Sequence, residues 1–188
     1  MKLKNIIISI VLKIRIFKYS FFSNNKNVSG FFVKHQPVVV RGKGKIRIGD
    51  NVNVGVINSP NFYNSYAYIE ARNKNAVIEF GNNIQINNGF SVTSEKSIII
   101  ENNVLIGFNC NIIDSTFHHL DKDKRNETDP NPKEVIIKRN VFIGNNVTIL
   151  KGVTIGENSV ISNGSIVTKT CPDNVVIGGV PAKVIKQL

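Results

Sequence analysis

Between Ile137 and Pro172 a large aliphatic residue opens every group of six: Ile137, Ile143, Ile149, Ile155, Ile161 and Val167. The fifth place of each group holds a smaller, uncharged side chain, running Val141, Val147, Val153, Ser159, Ser165 and Cys171. Gly, Asn, Lys and Glu fill much of the space between. An amphipathic helix would repeat every 3.6 residues and a half-buried strand every second residue, so neither accounts for a period of six. A short strand followed by a turn does. The aliphatic residue points to an axis, the fifth residue also points inward, and Asn or Gly at the corner tolerates positive φ. Coils of this kind stack about 4.8 Å apart through parallel-strand hydrogen bonds, which predicts an all-β solenoid.

The same phase recurs upstream with interruptions. Ile48 and Val54 are six apart, as are Phe80, Ile86 and Val92, and then Ile100, Ile106 and Ile112 after a two-residue insertion. The pattern predicts a solenoid domain over residues 41–188, beginning near residue 40, with Ser59–Tyr68 as an elaborated turn. Cys110 and Cys171 fall in the fifth place of their hexads, where a small apolar side chain is wanted, so both are expected to pack rather than react. Residues 114–134, DSTFHHLDKDKRNETDPNPKE, break the repeat with polar and charged residues and two prolines. A loop this long leaving a rigid stack points to function.

Charge changes the picture at the amino terminus. Of the formal net charge of +11, the first 50 residues hold +10, with eleven Lys and Arg against Asp50 alone. Residues 1–40 are expected to form a basic, irregular segment packed on or preceding the solenoid. Such a block suits an anionic substrate or an anionic membrane surface, or is simply a solvated face. No zinc-finger spacing, recognition-helix pattern or RNA-binding aromatic signature accompanies it, so nucleic acid is not the expected partner. The apolar run Ile6–Leu12, between lysines, is too short to span a bilayer and lacks a cleavage site for secretion. It is expected either to pack as a buried first segment or to contact an acidic membrane surface. Two cysteines exclude a disulfide framework and fit a reducing, cytoplasmic setting, at most peripheral at the inner face of the membrane.

The stretches IEFGNNIQINNG, VLIGFNCNIIDSTFHHLD, VFIGNNVTILKGVTIGENSVISNGSIVTK and GGVPAKVIK together resemble the hexapeptide-repeat acyltransferases, in particular the galactoside, maltose and capsular-polysaccharide O-acetyltransferases. The resemblance covers roughly residues 75–186. It implies a left-handed parallel β-helix with three hexads per turn, against the usual right-handed rule for crossovers. It further implies a homotrimer with sites between subunits, acetyl-coenzyme A as co-substrate and a saccharide or small-molecule acceptor. His118 matches the family's catalytic base, while His119 stands where a proline is common. Asn87 matches a second site residue of the family. Asn145, Asn163 and Thr168 match places along the pantetheine arm, with Lys169 and Lys183 set to meet phosphates.

The activity so implied is transfer of an acetyl group to a sugar hydroxyl, in surface-polysaccharide biosynthesis, directly and with a histidine general base. The alternatives are N-acetylation of an amino nucleotide sugar and a scaffold that has kept the coils without the chemistry. A gamma-type carbonic anhydrase would share the solenoid but needs three zinc-binding histidines. Here His35, His118 and His119 lack that spacing, and no metal is expected.

Overall fold

The computed structural model describes residues 2–188. Three flat sheets of parallel strands wrap around one axis as a triangular prism. The first sheet stacks Val28–Ser29, Lys45–Ile48, Val77–Phe80, Ser97–Ile100, Val135–Ile137 and Thr154–Ile155. The second stacks Val33–Lys34, Asn53–Val54, Gln85–Ile86, Leu105–Ile106, Phe142–Ile143, Val160–Ile161 and Val175–Gly179, and is closed by the antiparallel Ala182–Gln187. The third holds Val38–Gly42, Ala67–Ala71, Ser91–Ser94, Asn111–Ile113, Thr148–Ile149 and Ile166–Val167. The chain visits the three in turn and rises one coil per circuit.

Register follows the hexad. Ile137 lies beside Ile155, Ile143 beside Ile161 and Ile149 beside Val167, so each inward residue rests on the one eighteen places later. Most strands of the regular region are two residues long, one pointing out and one in, as with exposed Phe142 and buried Ile143. Full burial of each such aliphatic contributes roughly 1.5–3 kcal/mol, and the column repeats the gain coil after coil. The fifth-place residues are buried as well, including Ser159, Ser165 and both cysteines. Burial pushes the Cys110 thiol up to about 11.

Corners are made by asparagine. Nine asparagines adopt positive φ, and on the edge between the first and second sheets their amides form columns. Asn51 donates to Asn83 and Asn83 to Asn103, and farther along Asn140 donates to Asn158 and Asn158 to Asn174. Glycine is required where a neighbouring coil presses close: a Cβ on Gly144 would stand 2.5 Å from Asn163 Oδ1.

Two features differ from the sequence expectations. The first coil opens at Val28 rather than near residue 40. Its strands are short, and Phe32 and Val38 supply the inward side chains in place of a clean hexad series. The segment expected to be irregular contains a 20-residue helix, α1, spanning Lys2–Phe21. It has no Gly or Pro to interrupt it, and a period of six does not reveal a helix. α1 packs Ile8, Leu12, Ile16 and Tyr19 toward the third sheet and the insertion after Val54. There Arg15 donates to the carbonyls of Phe62 and Ser65, and Tyr19 stacks on Tyr66 at 5.0 Å. After the helix, the N–H groups of Asn24 and Asn25 bond to the carbonyl of Val40 and tie it to the first coil.

Replacing the fully buried Ile143 by Ala is expected to cost about 2–5 kcal/mol, read from the urea unfolding midpoint. A cost below about 0.5 kcal/mol, the range of surface substitutions, would contradict its place at the axis.

Candidate active site

With the axis filled by aliphatic side chains, polar chemistry is confined to edges and loops. The loop 114–134 leaves the stack at the edge between the third and first sheets, and carboxylates hold both of its ends. Asp114, fully buried, accepts from Ser94 Oγ at 2.6 Å and from the N–H groups of Glu95, Lys96 and Ser97 at 2.7–2.8 Å. It closes the corner of the preceding coil at the point where the chain departs. Glu95, also buried, accepts from Ser115 Oγ and from Thr128 Oγ1, bridging the two arms of the loop. Asp129 accepts from the N–H groups of Thr116 and Asn131, each at 2.9 Å, and pairs with Lys151 of the next coil.

Burial alone would raise the Asp129 pKa. The Lys151 ammonium and the two backbone N–H donors outweigh it and hold the carboxyl well below the usual carboxylate range. None of Glu95, Asp114, Asp129 and Lys151 follows from the hexad pattern, because their partners are 13–33 residues away in the chain or on another coil. The one signal available was the loss of the inward aliphatic at Asp114-Ser115, where a buried polar pair ends the register.

Phe117 is the sole residue other than Asn and Gly with positive φ among the described residues, at 59°. An aromatic in this conformation is uncommon, and such strain gathers at functional positions. Ser115 Oγ accepts from its N–H, and the Arg72 guanidinium sits 4.4 Å over its ring. This twist presents His118. The carbonyl of Arg125 lies 2.8 Å from His118 Nδ1. Because a carbonyl only accepts, the proton of the neutral ring resides on Nδ1, and the lone pair is on Nε2. His119 has the reverse arrangement: its Nδ1 accepts the Asp121 N–H at 3.0 Å, which leaves the proton on Nε2.

The remaining sequence-derived candidates divide between two edges. Asn87, Asn145 and Asn163 follow strands of the second sheet and lie on the edge between the second and third sheets. The Oδ1 of Asn87 accepts the N–H of Asn88 at 2.7 Å, which leaves its amide N–H groups as outward donors. Asn145 Oδ1 accepts the Phe108 N–H, and Asn163 Oδ1 accepts that of Asn145, so both also cap corners. Asn87 and Asn145 share a cleft of about 310 Å³ with Gly107 and Phe142. Thr168 and Lys169 follow the third sheet, on the same edge as the His118 loop. Lys183 lies in the closing antiparallel strand. Lys169 and Lys183 are exposed and make no salt bridge among the described residues, which suits them to meet phosphates. Within one chain, the fold therefore sets Asn87 and His118 on different edges. His35 is exposed near the amino-terminal end, away from the loop histidines.

Similarity to known proteins places the chain in a family. The family described as bacterial transferase hexapeptide (six repeats) matches residues 134–169. Galactoside O-acetyltransferase of Lactococcus lactis subsp. lactis (strain IL1403) is 38% identical over 111 residues, which is 59% of this chain and 53% of that protein. The chain thus spans about half the length of that relative. The protein of Escherichia coli (strain K12) named "Putative lipopolysaccharide biosynthesis O-acetyl transferase WbbJ" is 31% identical over 159 residues, 80% of this chain and 76% of WbbJ. A hexapeptide-repeat-containing acetyltransferase from Vibrio cholerae superposes with a TM-score of 0.56 at 26% identity, covering 94% of this chain and 81% of that one. That protein has also been solved complexed with acetyl-coenzyme A. The chain belongs to the hexapeptide-repeat acyltransferase family, and its coil is that family's left-handed parallel β-helix.

The Asp129 carboxylate tests the anchoring of the loop. Its depressed pKa stabilises the folded state above the unfolded carboxylate value of about 3.9, and this contribution is lost as pH falls toward the folded value. Asp129→Asn is expected to be about 1–3 kcal/mol less stable than wild type at neutral pH. The gap should narrow as pH drops below about 4, as measured by thermal melting across pH. A gap independent of pH would contradict an ionised, anchoring Asp129.

Proposed function

We propose that the protein is an acetyl-coenzyme A-dependent O-acetyltransferase acting on a sugar hydroxyl in surface-polysaccharide biosynthesis, with His118 as general base. The observation that carries the reading is the bond between His118 Nδ1 and the Arg125 carbonyl. It leaves Nε2 of the exposed His118 unprotonated, as a base requires, on a loop fixed by buried carboxylates. His119 in its hydrogen-bonded form carries its proton on Nε2 and is the poorer base.

In this mechanism Nε2 of His118 takes the proton of the acceptor hydroxyl as its oxygen attacks the thioester carbonyl. The resulting imidazolium then returns that proton to the departing thiolate. The amide N–H of Asn87, freed by the bond from Asn88 to its Oδ1, is the donor for charge developing on the carbonyl oxygen. Transfer is direct. Both thiols are buried packing residues, and burial raises the pKa of each, which argues against an acyl-cysteine. Resemblance to the family assigns Asn145 and Asn163 on one edge, and Thr168 on the other, to the pantetheine arm, with the Lys169 and Lys183 ammonium groups meeting the phosphates.

The two-edge arrangement supports a site completed by a second copy, in a homotrimer, where one chain supplies His118 and its neighbour Asn87. The basic first quarter fits an anionic glycan or a lipid-linked precursor as acceptor. Coenzyme A release measured with a panel of sugars and nucleotide sugars tests the reading. His118→Ala is expected to lower turnover by roughly 10²–10⁴-fold, while His119→Ala stays near wild type. If His119→Ala is the inactive variant, the base is misassigned. If neither matters, the histidine mechanism fails.

A further inference from the structure

α1 has two apolar faces, and the body of the protein uses one. Ile8, Leu12, Ile16 and Tyr19 face the solenoid, each half-buried. On the opposite side, Ile6, Ile7, Ile10, Ile14, Phe17 and Phe21 repeat at helical spacing and are 52–82% exposed. Phe17 and Phe21 are exposed by 76% and 82%, which is costly for aromatic rings in water and marks an interaction surface. Helical geometry of 100° per residue sets Lys13 on one flank of this stripe and Lys18 on the other, and both are exposed. Neither pairs with a carboxylate among the described residues. No helix of the described residues is long and apolar enough to cross a membrane.

We propose that α1 docks the protein in the plane of an anionic membrane, with the Ile6–Phe21 stripe inserted among the acyl chains and its flanking lysines at the phosphates. An apolar stripe bordered by lysines is the pattern of a helix lying in the interface, where the side-chain stems reach up to the headgroups. Charge selects this occupant over a second copy of the chain. Seating another α1 on the stripe would bring together two amino-terminal quarters of +10 each, whereas an anionic leaflet supplies the missing negative charge. The packed face, held by Arg15 and Tyr19, keeps the helix on the body while the stripe points away. The inference does not depend on the acetyl-transfer reading, because vesicle binding is measured without turnover.

The chain contains no tryptophan, so Phe17→Trp creates a single fluorescent reporter in the stripe. On vesicles of equimolar phosphatidylglycerol and phosphatidylcholine its emission is expected to shift to the blue. On phosphatidylcholine alone the shift should be much weaker, and added salt should reduce it. In flotation assays of the full chain, Ile10→Glu combined with Phe21→Glu should lower binding at least tenfold. Its melting temperature should be unchanged, since both side chains are exposed. Lys13→Gln with Lys18→Gln should remove the preference for anionic lipid, and His118→Ala should bind as wild type. No vesicle binding by wild type, or binding unaffected by the Glu pair, would overturn the proposal. So would a wild type that ignores vesicles and dissociates into smaller species on the Glu substitutions, which would assign the stripe to a second copy.

Discussion

An aliphatic side chain must return to the axis every sixth residue, and the rest of the structure follows from that. With coil strands two to five residues long, the coil has no room for a wide interior, and stacked isoleucines and valines, joined in the earlier coils by Phe32, Phe80 and Phe90, occupy the axis. Polar chemistry is pushed to the three edges of the prism. The period that sets where each residue falls also decides which edge it occupies, and Asn87 and His118 emerge on different ones. A site that needs both groups then needs two chains, which gives a physical reason for an assembly between copies.

The loop that carries His118 poses the opposite problem, since a long excursion from a rigid stack costs conformational entropy unless it is tied down. The molecule ties it with buried carboxylates. Asp114 closes the coil the loop departs from, Glu95 joins its two arms, and Asp129 with Lys151 fastens it to the coil above. These are charge-assisted bonds in a partly dry setting, where an unpaired member would be costly. The result is a loop fixed enough to hold Phe117 in a strained conformation and to pin His118 Nδ1 to the Arg125 carbonyl.

Much of this was legible in the residues. The regular hexads from Ile137, the corner asparagines and the packing role of both cysteines are written in local spacing, and the burial of Ile143, Cys110 and Cys171 agrees with it. The elaborated turn expected over Ser59–Tyr68 is there too, but it ends at Tyr66, where the strand Ala67–Ala71 begins. The helix was not legible as one, because its two apolar faces together look like a short apolar run interrupted by lysines. The carboxylate anchors were not legible either. Glu95 and Thr128 are 33 residues apart, and nothing local announces their bond. Resemblance to a family pointed to His118. That a carbonyl faces Nδ1 of His118 while an N–H faces that of His119 is a matter of geometry that local spacing does not show.

We propose that the reacting groups come from two chains, which subunit mixing tests most directly. His118→Ala and Asn87→Ala are each expected to be nearly inactive. When the two are co-expressed and assemble at random, about a quarter of the sites should combine an intact His118 from one chain with an intact Asn87 from its neighbour. Coenzyme A release at roughly that fraction of the wild-type rate would bear out the account. Mixed assemblies no more active than the separate variants would contradict it, and would require both groups to act from a single chain.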